Sequence, residues 1–436
     1  MSLTPLSTRI ATEHARVAGS LPAEVVSRKH RRQALETLLA HGLPSARDEN
    51  WKYANLRPLE RARFAPADPA RIEAAELPAP LAAFARYTFV DGMFAPALSS
   101  KDSPAGITMH AGRSQQHIER LPRRAAAHAP NPDERLALLN EAFATDAAQI
   151  RVDATAARRP CLELLFVASS DAAAGASYPR LALEVLAGAQ VVVLERHLGI
   201  GSDASFVNSA VSLDIGRGSA VHHYRWQQAG ARATWFDTLS ATLAHDAVYR
   251  LHSVALGALA ARSTVHVQLA GEAADVTLSA AALADRQQVQ DAYALIEHVA
   301  PRARTEQTFR GISAGRARVG FNGKVVVRPG AHGTDSRQSL KGLLAGPEAE
   351  IDVRPQLEIY TDDVRCSHGA TAGKLDENML FYMLSRGLDR ESAQRLLKWA
   401  FLEDVVSRIE VPELRRQIEH SLVGQMADAA ALQELF

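Results

Sequence analysis

Gly188-Ala-Gln-Val-Val-Val-Leu-Glu195, Gly218-Ser-Ala-Val-His-His-Tyr-Arg225, His245-Asp-Ala-Val-Tyr-Arg-Leu-His252 and Gly271-Glu-Ala-Ala-Asp-Val-Thr-Leu278 are the stretches whose reading decides the fold. Each places a turn and small residues ahead of a β-rich run. Their starts lie 30, 27 and 26 residues apart, and a self-similar period of that size marks stacked supersecondary units. Two further copies, Gly315-Arg-Ala-Arg-Val-Gly-Phe321 and Pro347-Glu-Ala-Glu-Ile-Asp-Val353, follow after a longer gap. A second strand column lies between the copies, at 209–214, 238–243, 263–269 and 305–310. Two strands and two turns cannot bury their own apolar face, so the units must stack, either as a parallel β-helix or as an antiparallel sandwich or jelly roll. Recurrence of one strand position in the same order favours a mainly β chain with a parallel β-helix core over 146–373.

Outward from that core, residues 1–145 read as a helical and mixed region. Leu21-Pro22 with Glu24 opens a segment in which Val25, Leu35, Leu38 and Leu39 recur at helical spacing, and His41-Gly42-Leu43-Pro44 stops it. Glu49-Asn50-Trp51-Lys52-Tyr53 reads as an anchor pinning the helices to the main body. The stretch 61–130 is rich in Ala and Pro around a strand, Tyr87-Thr-Phe-Val90, and an Asp91-Gly92 turn; a helical run with Leu136, Leu139 and Phe143 follows. Beyond Gly373 the pattern is again helical over 374–436. Asp376 is an N-cap, Gly387 a stop, and Asp389 opens a second helix to about 409, before Pro412. That helix carries Leu396, Leu397, Ala400, Phe401 and Val405 on one side, while Trp399, Leu402 and Val406 continue round it. Such a surface predicts packing on the solenoid together with a partner, or a wholly internal helix.

Composition narrows the function. Basic and acidic residues balance at 49 each, so no overall field favours nucleic acid or an anionic membrane. No run reaches the ~18 charge-poor apolar residues of a membrane span, and Met1 to Arg16 shows no signal-peptide core. Two cysteines provide no disulfide framework, so the expected location is cytoplasmic. Walker A, Gly-x-Ser-x-Gly, His-Glu-x-x-His and paired CxxC signatures are absent from the sequence. The tightest histidine groups, His222-His223 and His245 with His252, read as surface or core residues. Gly311-Ile-Ser-Ala-Gly315 reads as a turn.

One stretch concentrates scarce chemistry: Glu358-Ile-Tyr-Thr-Asp-Asp-Val-Arg-Cys366-Ser-His368-Gly-Ala-Thr-Ala-Gly-Lys-Leu-Asp376. Residues i and i+2 of a strand face one side, so Cys366 and His368 would offer a thiolate and an imidazole together to a soft or borderline metal. Two ligands do not close a site. The other cysteine, Cys161, lies about 200 residues upstream. The motif is therefore either structural or completed by another chain.

Phe321-Asn-Gly-Lys-Val325, Thr334-Asp335 with Gln338, Pro355-Gln-Leu-Glu-Ile-Tyr360, Asp362-Asp-Val-Arg-Cys-Ser-His-Gly-Ala-Thr371, Leu375-Asp376 and Glu49-Asn-Trp-Lys-Tyr53 carry a resemblance. Over nearly its whole length the chain resembles the SufD family of the SUF iron–sulfur cluster assembly system. The resemblance implies a helical N-terminal region, a right-handed parallel β-helix and a helical C-terminal subdomain. It also implies pairing with SufB through the β-helices and binding of the ATPase SufC through the C-terminal helices, with self-pairing as the fallback in isolation. Cys366 and His368 match the metal-site residues at the SufB–SufD interface, where a transient cluster forms with a SufB cysteine. The family's complexes are associated with reduced flavin, for which this sequence holds no fingerprint. Two positions depart from the family: 291–298 lacks the histidine that follows the aspartate in many relatives, and Thr334-Asp335 follows His332-Gly333 rather than Gln-Lys. The expected function is a non-catalytic assembly scaffold. The alternatives are a β-helix carbohydrate-active enzyme, which calls for clustered carboxylates on one strand face, and a purely structural adaptor, which leaves Cys366 without a role.

Overall fold

The computed structural model describes residues 4–111, 132–155, 159–169, 175–201 and 204–426. The end of the 61–130 stretch and the last ten residues of the helical tail lie outside the described residues. Helices α1 (Pro5–Val17) and α2 (Arg28–His41) lead to the hairpin β1 (Ala85–Val90) and β2 (Met93–Phe94), then β3 (Ile107–Ala111), α3 (Arg135–Phe143) and β4 (Ala148–Val152). Next come β5 (Cys161–Ala168), β6 (Ala176–Ser177), β7 (Arg180–Val185), β8 (Gln190–Gly199), β9 (Phe206–Ile215), β10 (Ala220–Ala229) and β11 (Thr234–Leu243). They are followed by β12 (Val248–Gly257), β13 (Ala260–Leu269), β14 (Asp275–Ala284), β15 (Val289–His298) and β16 (Arg304–Ser313). The last strands are β17 (Arg318–Val327), β18 (Thr334–Leu344), β19 (Glu350–Ile359) and β20 (Val364–Gly373), and α4 (Glu377–Ser385), α5 (Arg390–Val406) and α6 (Pro412–Gln425) end the described chain.

Strands β5, β8, β10, β12, β14, β16, β18 and β20 form one parallel array, and β7, β9, β11, β13, β15, β17 and β19 the other. The result is a parallel β-solenoid of seven two-strand coils, β20 beginning an eighth. The parallel β-helix expected from the period is the observed core, with helices at both ends of the chain. Register is one-to-one from coil to coil, which carries Val191, Val221, Tyr249 and Val276 into one inward column.

One corner accounts both for the period and for its break after β14. Gly188, Gly218, Asp246, Ala273, Arg302 and Gly333 all sit at φ between 55° and 73°, and each donates its N–H to the next coil, at Arg217, His245, Glu272, Pro301, His332 and Asp363. The left-handed geometry favours glycine, yet Arg302 holds it at this corner and Arg286 at another, with no glycine to announce β15. The next glycine turn, Gly315, precedes β17 in the other array. The copies at 315 and 347 therefore belong to the second array and 305–310 to the first, an exchange of columns relative to the sequence reading.

Helices cover the outer faces. Ser27 caps α2 through His30 N–H, so the helix starts later than expected while Val25 and Val26 are buried ahead of it. Trp399, Leu402, Val405 and Val406 of α5 pack with Leu414, Ile418 and Leu422 of α6 on Leu194, Trp226, Val254 and Leu283. Strands of the first array are thus buried on both faces there, which is why β8 reads as the unbroken run Val191-Val-Val-Leu194. Pro412 does more than limit α5: it begins α6 at its first turn, where the missing N–H costs nothing. Trp399 and Leu402 face the chain's own solenoid. Large exposed apolar side chains cluster instead on and beside α4, at Met379, Phe381 (72% exposed), Tyr382 and Leu388, with Ile359 and Tyr360 at the end of β19 and Val299 after β15 also exposed.

Candidate functional site

The last coil is open. Among the described residues β20 hydrogen-bonds only β18 and β19 only β17, leaving one edge of each strand without a partner. Inside this end Ile351, Val353, Leu357, Val364 and Cys366 pack against the core while remaining half-buried. Cys366 and His368 share the inner face of β20, as the i, i+2 spacing requires. Cys366 stands in register with Ser336 and His368 with Gln338.

Following those columns inward shows what supports the pair. Val276, Thr305, Ser336 and Cys366 make one column, and Leu278, Gln307, Gln338 and His368 its neighbour. An apolar interior turns polar over three coils as it nears the open end. Gln338 Nε2 donates to Gln307 Oε1 at 3.3 Å and to the Gly323 carbonyl at 2.9 Å. A Cβ at Gly323 would stand 2.7 Å from Gln307 Oε1 and 3.0 Å from Gln338 Nε2, so glycine is needed for this close approach. Thr334 Oγ1 donates to the Ala331 carbonyl at 2.9 Å and, 3.4 Å from His298 Nδ1, accepts from it. His298 Nε2 then accepts from Thr305 Oγ1 at 2.7 Å.

Burial pushes the Cys366 thiol up, Asp335 adds to the effect, and a backbone hydrogen bond from Ser336 opposes it. At neutral pH the isolated chain therefore holds a thiol rather than the thiolate that binds metals. No group of three or more His, Cys, Asp or Glu able to hold a metal occurs among the described residues. Cys161 does not contribute: it sits on β5, packed on the outer cluster under the C-terminal helices, at the far end of the solenoid. Both cysteines are free.

The N-terminal anchor reaches the same region from outside. Trp51 is fully buried, with Nε1 donating to Asp133 Oδ1 at 2.8 Å, and Asn50 Nδ2 donates to Asp133 Oδ2 at 3.0 Å. The Arg262 guanidinium lies 4.4 Å over the Trp51 ring and pairs with Asp291. Asn322 donates to Asn50 at 3.2 Å, Lys324 pairs with Glu358 at 2.6 Å, and Arg354 with Glu49. Two motifs about 270 residues apart in sequence, Glu49-Asn-Trp and Phe321-Asn-Gly-Lys, thus form one clasp, and Asp291, beside the expected histidine position, belongs to it.

The sequence reading missed a second buried polar group. Arg225 inside the solenoid binds Glu195 at 2.8 and 3.0 Å and Asp237 at 2.7 and 2.8 Å. Glu195 also meets His197 at 2.6 Å and His223 at 3.1 Å. Arg225 and the two histidines around Glu195 hold its carboxyl well below the usual range despite full burial. These residues come from three strands, β8, β10 and β11, and only the one-to-one register brings them together. His222, by contrast, faces outward to Glu410, and His252 stacks on Tyr224.

No described helix is long and apolar enough to cross a membrane. Comparisons with known proteins bear on kinship. SufD of Escherichia coli K12, an iron–sulfur cluster assembly protein, is 29% identical over 395 residues, 88% of this chain and 90% of that protein. A SufBD family protein of Synechocystis sp. is 28% identical over 93% of this chain and 92% of its own length. One from Mycobacterium leprae is 30% identical over 56% of this chain and 64% of its own. The model of the SUF system FeS cluster assembly SufBD core domain matches residues 166–401, from β5 into α5. With the solenoid and its open end inside a match that spans more than half of the sequence, the chain belongs to the SufBD family of SUF iron–sulfur cluster assembly proteins.

Proposed function

We propose that this chain is a non-catalytic scaffold subunit that pairs with SufB through the open coil, presents Cys366 and His368 to a cluster under construction, and recruits SufC through its C-terminal helices. The observation that carries the reading is the open end: two unpaired strand edges, a half-covered apolar interior and the Cys366/His368 pair on one face. An uncovered edge is an association surface, and a second solenoid laid against it would bury Ile351, Val353 and Leu357. A thiolate and an imidazole suit iron or sulfide in transit, while a partner's thiolate would complete the shell. The cluster is cargo in this scheme, held only at the interface, and self-pairing of the isolated chain uses the same edge. Any reduced flavin would belong to the complex; no residue of this chain is assigned to it. The apolar surface of α4, with Phe381 at its centre, suits docking of SufC. Free thiols fit a reducing compartment, here the cytoplasm.

The test is iron and acid-labile sulfide per complex, after co-expression with SufB and SufC, for Cys366→Ala and His368→Ala. Both variants are expected to assemble, melt close to the unsubstituted complex and lose most of their cluster. Full cluster content in both would reduce the pair to packing residues.

A further inference from the structure

A cleft of about 440 Å³ lies between α6 and the outer face of the first array, lined by Arg196 and Trp226 from the strands and by Glu413, Arg416, Gln417 and His420 from the helix. Its size falls in the range of small-molecule sites. It opens over β8 and β10, far from Cys366 on β20, so it does not rest on the reading of the open end.

Two buried side chains line this cleft. Trp226 is 1% exposed and its indole N–H has no acceptor. Arg196 is 6% exposed, with its guanidinium 4.1 Å over the Trp226 ring. Its Nε donates to Gln228 Oε1 at 3.1 Å and its Nη1 to Gln417 Oε1 at 3.4 Å. Neither partner is an anion. The acid whose field reaches it, Glu163, is itself held by Arg86 at 2.8 and 3.0 Å. Burial pulls Arg196 down to about 10, the mark of a cation short of countercharge. From α6, Arg416, His420 and Ser421 follow at helical spacing on the same face, with Glu413 the one acid in the lining.

A buried cation whose hydrogen-bond partners are both neutral lacks a counterion, and the open side of this cleft is where an oxyanion can reach it. We infer that this cleft binds the phosphate group of a small molecule, with Arg196 and the Ser421 hydroxyl donating to its oxygens, Arg416 closing over it and the Trp226 ring forming its floor. Donors come from two sides, strand and helix, which suits a tetrahedral group with several acceptor oxygens better than a planar carboxylate. Occupancy ties α6 to β8 and β10.

The experiment follows the Trp226 indole N–H resonance of the full chain, assigned with Trp226→Phe, while inorganic phosphate is added at constant ionic strength. A saturable shift and a rise in Tm are expected. Binding should weaken about tenfold in Arg416→Glu, an exposed position whose substitution leaves the fold intact, and likewise in Arg196→Gln. Glu413→Gln should bind more tightly, and acetate should leave the resonance unmoved. An unshifted resonance, an equal response to acetate, or unaltered binding by Arg416→Glu would overturn the assignment.

Discussion

Individual side chains divide into those that hold the solenoid and those that await something. Cys366 is of the second kind, its thiol kept protonated by burial. His252 and His298 are of the first, and burial lowers both to about 4. His222, Arg408 and Arg250 add to the effect at His252. The sign follows from linkage: between pH 4 and 6.5 the unfolded chain binds protons that the folded chain refuses, so stability is full above 6.5 and declines as pH falls toward 4. Each histidine should remove about 2 kcal/mol by pH 5. Replacing His252 by Phe keeps a ring against Tyr224 and removes the titration. Urea unfolding from pH 7 to 5 should then lose about half of the dependence these two residues supply; an unaltered slope would mean that His252 is charged in the folded chain.

At the scale of single elements, α4 and α5 exchange the roles their sequences suggest. The apolar surface of α5 runs more than halfway round the helix, but Trp399, Leu402, Val405 and Val406 spend it on the solenoid. The short α4, capped by Asp376, leaves Met379, Phe381 and Tyr382 in solvent. Phe381→Glu should therefore abolish capture of SufC with Tm unchanged, whereas Leu402→Glu should unfold the tail by burying a charge. Pull-down of SufC beside a melting curve for each variant separates the two outcomes. Retention of SufC by Phe381→Glu would move the docking surface off α4. Deleting everything after Gly373 is a poorer test, because it would strip the cover from Trp226, Val254 and Leu283.

Across the whole molecule, the N-terminal region is fastened to the late coils by the Trp51 clasp, with Arg262, Asn322 and Arg354 coming from three different coils. Removing the indole leaves a cavity and a buried Arg262 without its stacking partner. Trp51→Ala should cost about 3–5 kcal/mol, seen as a lower urea midpoint. Trp51→Phe keeps most of the burial and loses only the hydrogen bond to Asp133, so it should cost about 1–2 kcal/mol. Equal costs for the two would show that Asp133, rather than ring packing, carries the clasp.

The sequence by itself determined the repeating architecture, because a 26–30-residue period of turn and strand has few ways to bury its faces, and it determined that Cys366 and His368 share a side, because strand parity is local. It determined the caps at Asp376 and Asp389 and the buried role of Trp51 for the same local reasons. Only the tertiary structure decided which array each strand joins, since Arg286 and Arg302 occupy left-handed corners that sequence assigns to glycine. It alone decided that Gly323 is glycine because two glutamines meet above it, that α5 rather than α4 faces inward, and that Arg225, Glu195 and His223 form one buried group. Each of these depends on register between residues tens to hundreds apart. Register is set by stacking energy summed over whole coils, which no local pattern encodes.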